Sequence, residues 1–121
     1  MGYIKAGRMG EDIRRILSAQ IRELKDPRIS EVATMLTVVR CEVASDGSYA
    51  KCYISCISGF DKAQVAVKGL GNAKGLLRRE ISRVLGLKKA PDLKFVADDS
   101  AEYSSRINKI LSDLNNDDNA L

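Results

Sequence analysis

Histidine and tryptophan are absent from this 121-residue chain, and proline occurs only twice. Without histidine the commonest general base is missing, so a serine or cysteine nucleophile would need a lysine or carboxylate to activate it. No local arrangement supplies one. The three cysteines, Cys41, Cys52 and Cys56, leave an odd one and lie in strand-like segments, which speaks against a disulfide framework and for a reducing cytoplasm. Cys52-x-x-x-Cys56 has the wrong spacing for a metal knuckle, so no metal and no cofactor is expected. No run of about 18 apolar residues exists to span a membrane, and Met1 to Lys5 has no apolar stretch of a leader. The glycines at Gly69, Gly71 and Gly75 do not make a phosphate loop, because no Lys-Ser or Lys-Thr follows. Aromatic side chains number six, four tyrosines and two phenylalanines, so a sheet of stacking rings for single strands is not expected.

What is there is unevenly distributed charge. Lysine and arginine outnumber aspartate and glutamate by 20 to 16, a formal net charge of +4. Most of the excess lies between Lys62 and Lys94, where the only acids are Glu80 and Asp92, whereas the segment from Phe95 onward is acidic. Such a third of a chain suits a polyanionic partner, although solvated helix faces would also produce it.

Ile13, Ile16, Leu17, Ile21 and Leu24 recur at helical steps and predict a first helix over Glu11 to Leu24, ended by Asp26-Pro27 and followed by a loop through Ser30. Met35 to Ala44 and Tyr49 to Ser58 are rich in strand formers, and Ser45-Asp46-Gly47-Ser48 supplies the turn of a hairpin. Alternation assigns Val39, Cys41 and Val43 to one face of its first strand, and Ala50, Cys52, Ile54 and Cys56 to one face of the second. The cysteines are then core. Helices are predicted over Asp61 to Leu70 and Leu76 to Leu87, interrupted by Gly71-Asn72-Ala73-Lys74-Gly75. Asp92 to Ala97 reads as a third strand with Leu93 and Phe95 on one face, and Asp99 and Glu102 as the cap of a last helix striped by Ile107, Ile110, Leu111 and Leu114. Residues 1–114 therefore form one α+β domain, a three-stranded mixed sheet with helices on one face. Residues 115–121 are expected to be a disordered acidic tail.

On the helix after the interruption, Leu77, Ile81, Val84 and Leu85 share a face that should pack on the sheet. Arg79 and Arg83 lie opposite, Arg78 falls on the flank, and Lys88 and Lys89 extend the charge. Guanidinium forks donate two hydrogen bonds to one phosphate, and each contact releases counterions. Glycines at Gly71 and Gly75 would let a nucleic-acid strand approach the backbone closely; a hinge needed only for packing is the alternative.

Four segments then match a known family: Arg8 to Ser30, with Glu23-Leu24-Lys25-Asp26-Pro27-Arg28; Asp46 to Ser55; Asn72 to Arg79; and Pro91 to Ser100. In order and spacing they resemble the bacterial ribosome-binding factor A family of small-subunit assembly factors over nearly the whole chain. The resemblance implies a K-homology-like fold of the second type, helix, two strands, two helices and a strand. K-homology domains clamp nucleic acid with Gly-x-x-Gly; here Asn72-Ala73-Lys74-Gly75 lacks the first glycine and looks like the family's Ala-x-Gly kink. That departure argues against the alternative of a general single-stranded nucleic-acid or messenger RNA regulator. What the resemblance implies is binding to the free or immature small (30S) subunit and its ribosomal RNA, late in maturation and under cold stress, by a monomer with no small-molecule substrate and no chemistry of its own. Asn72, Ala73, Lys74 and Gly75 would form the kink. Arg78, Arg79, Arg83, Lys88 and Lys89 are the expected phosphate contacts, with Arg14, Arg15 and Arg22 on the first helix as secondary ones.

Overall fold

Ile13, Leu17 and Ile21 are buried at four-residue steps, the apolar stripe of a helix that spans Ala6–Ile21 (α1). The computed structural model describes residues 6–99, 109–112 and 114. The helix begins earlier than the periodicity predicts and stops a turn sooner, at Ile21, with Leu24 packed beside the core as the chain leaves it. Pro27 starts a helix rather than ending one. Asp26 accepts the Arg28 backbone N–H at 2.9 Å, and proline's fixed φ suits the first helical position, so Pro27–Ser30 forms a short helix (α2) where a loop was expected. Its Ile29 is wholly buried against α3 (Phe60–Asn72), which presents Gly69 to it.

A single 3-10 turn, Ala33–Met35, leads into the hairpin of β1 (Leu36–Val43) and β2 (Tyr49–Cys56). Gly47 at φ 74° and the Asp46 carboxylate, which accepts the Ser48 N–H at 3.0 Å, close the turn. β1 carries a bulge: Val38 stands opposite Ile54 and Arg40 opposite Tyr53, leaving Val39 without a partner. The extra residue shifts the alternation by one. Val38 is buried while Val39 is 36% exposed, so simple period-two alternation puts Val39 on the wrong face, although Cys41 and Val43 do pack against the core.

β3 (Asp92–Ala97) lies parallel to β2 on the side away from β1, completing a mixed sheet of order β1-β2-β3. α1 packs on β1, and α3 on β2 and β3, and α4 (Lys74–Leu85) packs on α1 and touches β3. Core side chains from the helices, the hairpin and β3 therefore meet in one layer between sheet and helices. The three cysteines belong to that layer as predicted; Cys52 and Cys56 are buried and Cys41 is half-buried. The described residues thus form the expected mixed-sheet α+β arrangement. Of the stripe expected for a last helix, Ile107 lies outside the described residues, whereas Ile110, Leu111 and Leu114 are helical as expected but exposed. The predicted acidic tail also lies outside them.

Candidate nucleic-acid interface

The interruption predicted around Gly71 to Gly75 is a single residue. α3 continues through Asn72 and α4 starts at Lys74, so only Ala73, at φ −96° and ψ 7°, leaves helical geometry. Its N–H still bonds to Leu70 O at 3.0 Å and its carbonyl accepts the Leu77 N–H at 3.0 Å, which makes the joint a bend within a nearly continuous hydrogen-bond ladder. Both glycines lie inside helices and not between them. At Gly71 and at Gly75 an added Cβ would meet nothing within 4 Å, and neither takes a positive φ. Packing does not require glycine at either place, and the backbone does not either. By contrast Gly86, at φ 66°, is the left-handed cap that stops α4 and turns the chain toward Lys88 and Lys89.

On α4, Leu77 and Ile81 are buried and Leu85 is partly so, but Val84, predicted to be core, is 49% exposed. The helix meets its neighbours along a narrower stripe than the predicted one. Arg79, Lys88 and Lys89 are exposed and make no ion pair among the described residues. Arg83 is exposed as well, with Glu80 as its salt-bridge partner; that contact holds the Glu80 carboxyl below its usual range. Lys74, first in α4, lies 4.0 Å from the Asp92 carboxylate at the start of β3, which brings the bend and that strand end together.

Arg78 is placed differently from the phosphate contact expected of it. Its Nε donates to Pro91 O at 3.0 Å and a terminal nitrogen to Ala90 O at 2.8 Å, so one edge of the guanidinium is occupied by main-chain carbonyls. A charge-assisted pair of this kind is worth about 1.5–3 kcal/mol per bond, and it ties α4 to the segment entering β3. On α1, Arg14 and Arg15 both reach Glu11, at 2.5 and 3.4 Å. The Arg14 guanidinium, hydrogen-bonded to that carboxylate, holds it at about 2, well below the usual carboxylate range. Arg22, just past α1, is exposed and makes no ion pair among the described residues. Cations outside this set emerge on the outer face of the sheet, where Arg40, Lys51 and Lys94 lie over tyrosine rings. Alternation with Leu93 and Phe95 marks Lys94 as outward-facing; the position of Arg40 depends on the bulge, which no sequence signal announces.

The thiols offer little to a nucleophilic mechanism. Cys52 lies 3.3 Å from Cys41 Sγ, and that neighbour together with burial pushes its thiol up, keeping it protonated. Among the described residues no group of histidines, cysteines and carboxylates could hold a metal ion, and no helix is long and apolar enough to cross a membrane.

A three-stranded mixed sheet covered on one face by helices, with a bent α3–α4 pair and a cationic rim, defines a K-homology-like α+β domain. The family model described as Ribosome-binding factor A matches residues 5–111. The ribosome-binding factor A of Caldicellulosiruptor bescii is 38% identical over 117 residues, spanning 95% of this chain and 87% of that protein. That of Caldicellulosiruptor saccharolyticus is 40% identical over 120 residues, 95% and 85% of the two chains. The crystal structure of the Thermus thermophilus factor superposes with a TM-score of 0.66 at 25% identity, covering 77% of this chain and 94% of that one. A Thermus thermophilus homology model fitted into a cryo-EM map of a complex between the 30S subunit and that factor gives 0.61 at 27% identity, covering 77% and 93%. The chain belongs to the ribosome-binding factor A family.

Proposed function

We propose that the protein binds the free or immature small ribosomal subunit through its RNA and assists late maturation of that RNA, acting by occupancy and without chemistry of its own. The observation that carries this reading is the glycine pair at the bend. Interior helical glycine costs roughly 0.5–1 kcal/mol against alanine, yet neither Gly71 nor Gly75 is needed by packing or by backbone geometry. A surface kept bare at the bend that opens α4, the helix that carries Arg79 and leads to Lys88 and Lys89, three cations that make no ion pair among the described residues, fits close approach of a sugar-phosphate backbone. The Thermus thermophilus factor fitted into a map of a 30S complex supports the same partner. Asn72, Ala73, Lys74 and Gly75 form the contact bend, Arg79, Lys88 and Lys89 the principal phosphate contacts, and Arg83, Arg14, Arg15 and Arg22 a second set, of which all but Arg22 are partly neutralised by carboxylates. The protein works as a monomer in the cytoplasm, where small subunits are assembled, and needs no small-molecule substrate.

Depletion of the protein in its own cells tests the proposal. Unprocessed small-subunit ribosomal RNA should accumulate, and the tagged protein should sediment with free small subunits and not with whole ribosomes. Normal RNA ends after depletion, together with no association, would overturn it.

A further inference from the structure

The face of the sheet turned away from the helices carries an arrangement that the bend and α4 do not explain. The strand register lays Arg40 beside Tyr53, and Lys51 between Glu42 on one side and Lys94 on the other. Arg40 sits over the Tyr53 ring at 3.8 Å, with Lys51 at 5.3 Å from the same ring, and Lys94 lies over Tyr49 at 4.2 Å. Glu42 is committed to Arg40 Nε at 3.0 Å and to the Tyr53 hydroxyl at 3.3 Å. Neither Lys51 nor Lys94 has a salt bridge among the described residues, although the register sets them side by side. Like charges directly opposed across a sheet are destabilising, and an anion laid between them relieves the repulsion.

We propose that this outer face is a second RNA contact, taking an unpaired segment whose phosphates are held by Lys51 and Lys94 and whose bases stack on Tyr49 and on the Arg40–Tyr53 pair. Bases stack on tyrosine rings and on guanidinium planes alike, so an arginine lying over a ring extends the platform. Aromatics are few in the chain, but the register gathers two of the six, each under a cation, on the sheet face opposite helices α1, α3 and α4, and so supplies the stacking sheet that composition alone speaks against. The position of the face also fits, because Tyr49 pairs with Asp92, whose carboxylate faces Lys74 at the bend. A strand leaving the bend would cross the end of β3 directly onto Lys94 and Tyr49. The inference rests on the reading that small-subunit RNA is the partner.

The test measures affinity of the full chain for purified free small subunits and for oligouridine across a salt series, with K51Q/K94Q and K51E/K94E beside the wild type. Two lost single-strand phosphate contacts at about 0.7 each should lower the slope of log affinity against log salt by about 1.4. Affinity at low salt should fall about tenfold for K51Q/K94Q with a melting midpoint no lower than that of the wild type, and further for K51E/K94E. Oligouridine carrying photoreactive bases should crosslink to Tyr49 or Tyr53. Wild-type affinity and slope in K51Q/K94Q would overturn the inference. So would a loss confined to intact subunits with oligouridine binding unaltered, which would assign the face to a protein partner. Should the wild type ignore small subunits and still bind oligouridine through Lys51 and Lys94, the sheet surface stands and the assembly-factor reading falls.

Discussion

Gly10 in α1 stands against the carbonyl of Cys41 in β1: a Cβ at Gly10 would lie 2.3 Å from that oxygen. The contact falls two residues after the bulge at Val39, where β1 changes phase, and lets the helix backbone rest directly on the strand. Glycine to alanine inside a helix ordinarily gains about 0.5–1 kcal/mol. Here the sign reverses, because the obstructing atom is backbone and cannot swing aside. Gly10→Ala should lose about 2 kcal/mol or more, in the range of other overpacked cores, measured by urea unfolding. Stability equal to wild type would mean that α1 and β1 are not so closely apposed.

Gly71→Ala and Gly75→Ala should behave in the opposite way. With open space around each position, the double variant should melt no lower than wild type and gain up to about 1 kcal/mol. Its affinity for free small subunits should nevertheless fall severalfold, since the added methyls stand where the RNA backbone is to approach. Greater stability with full affinity would leave the two glycines at the bend without a role in binding.

Arg78→Ala should act on folding. It strips two carbonyls of their partner and should cost about 3 kcal/mol or more in urea unfolding, and Arg78→Lys should recover only part because an ammonium cannot reproduce the fork. Affinity per folded molecule should stay near wild type, which separates Arg78 from Arg79. A stable Arg78→Ala protein that fails to bind would return Arg78 to the phosphate contacts.

Acid should loosen the fold through its surface carboxylates. Glu11 is held at about 2 by Arg14, and Asp26, Glu42 and Glu80 are held low by Arg28, Arg40 and Arg83. Carboxyls depressed in the folded state bind fewer protons than in the unfolded chain, so their contribution is complete above the unfolded value near ~4.3 and is lost as pH falls through the folded one. The urea midpoint should therefore drop as pH is taken from about 5 toward 2. The drop should be shallower in Glu11→Gln, and smaller for every form in high salt. A Glu11→Gln profile parallel to wild type would dismiss the Arg14 contact.

Much of the fold is legible in the sequence because its signals are local and repeated. The stripe of Ile13, Leu17 and Ile21, the Asp46-Gly47 turn and the alternation through Ala50, Cys52 and Ile54 each dictate an element without help from distant residues. The errors fall where a single residue changes phase or sense. Val39 is misplaced by alternation because a bulge has no sequence mark, and Pro27 because proline both ends and begins helices, with Asp26 deciding between them. The bend lies where its glycines mark it, yet Ala73 alone leaves helical geometry. Of the candidate contacts, Arg79, Lys88 and Lys89 are exposed as predicted. Arg78 also bonds the carbonyls of Ala90 and Pro91, a contact that the sequence does not announce because it is set by how the loop returns to the sheet.

Binding of small-subunit RNA by the cationic rim is tested most directly by titrating purified free small subunits, at low salt, with the wild type and with a variant reversing Arg79, Lys88 and Lys89 to glutamate. The wild type should bind with an affinity that falls steeply as salt rises. The variant should lose at least about tenfold and lower the slope by about 2.7, three contacts at roughly 0.9 each, while melting at the wild-type temperature. Equal affinity and equal salt dependence in the two folded proteins would contradict phosphate binding by these three side chains.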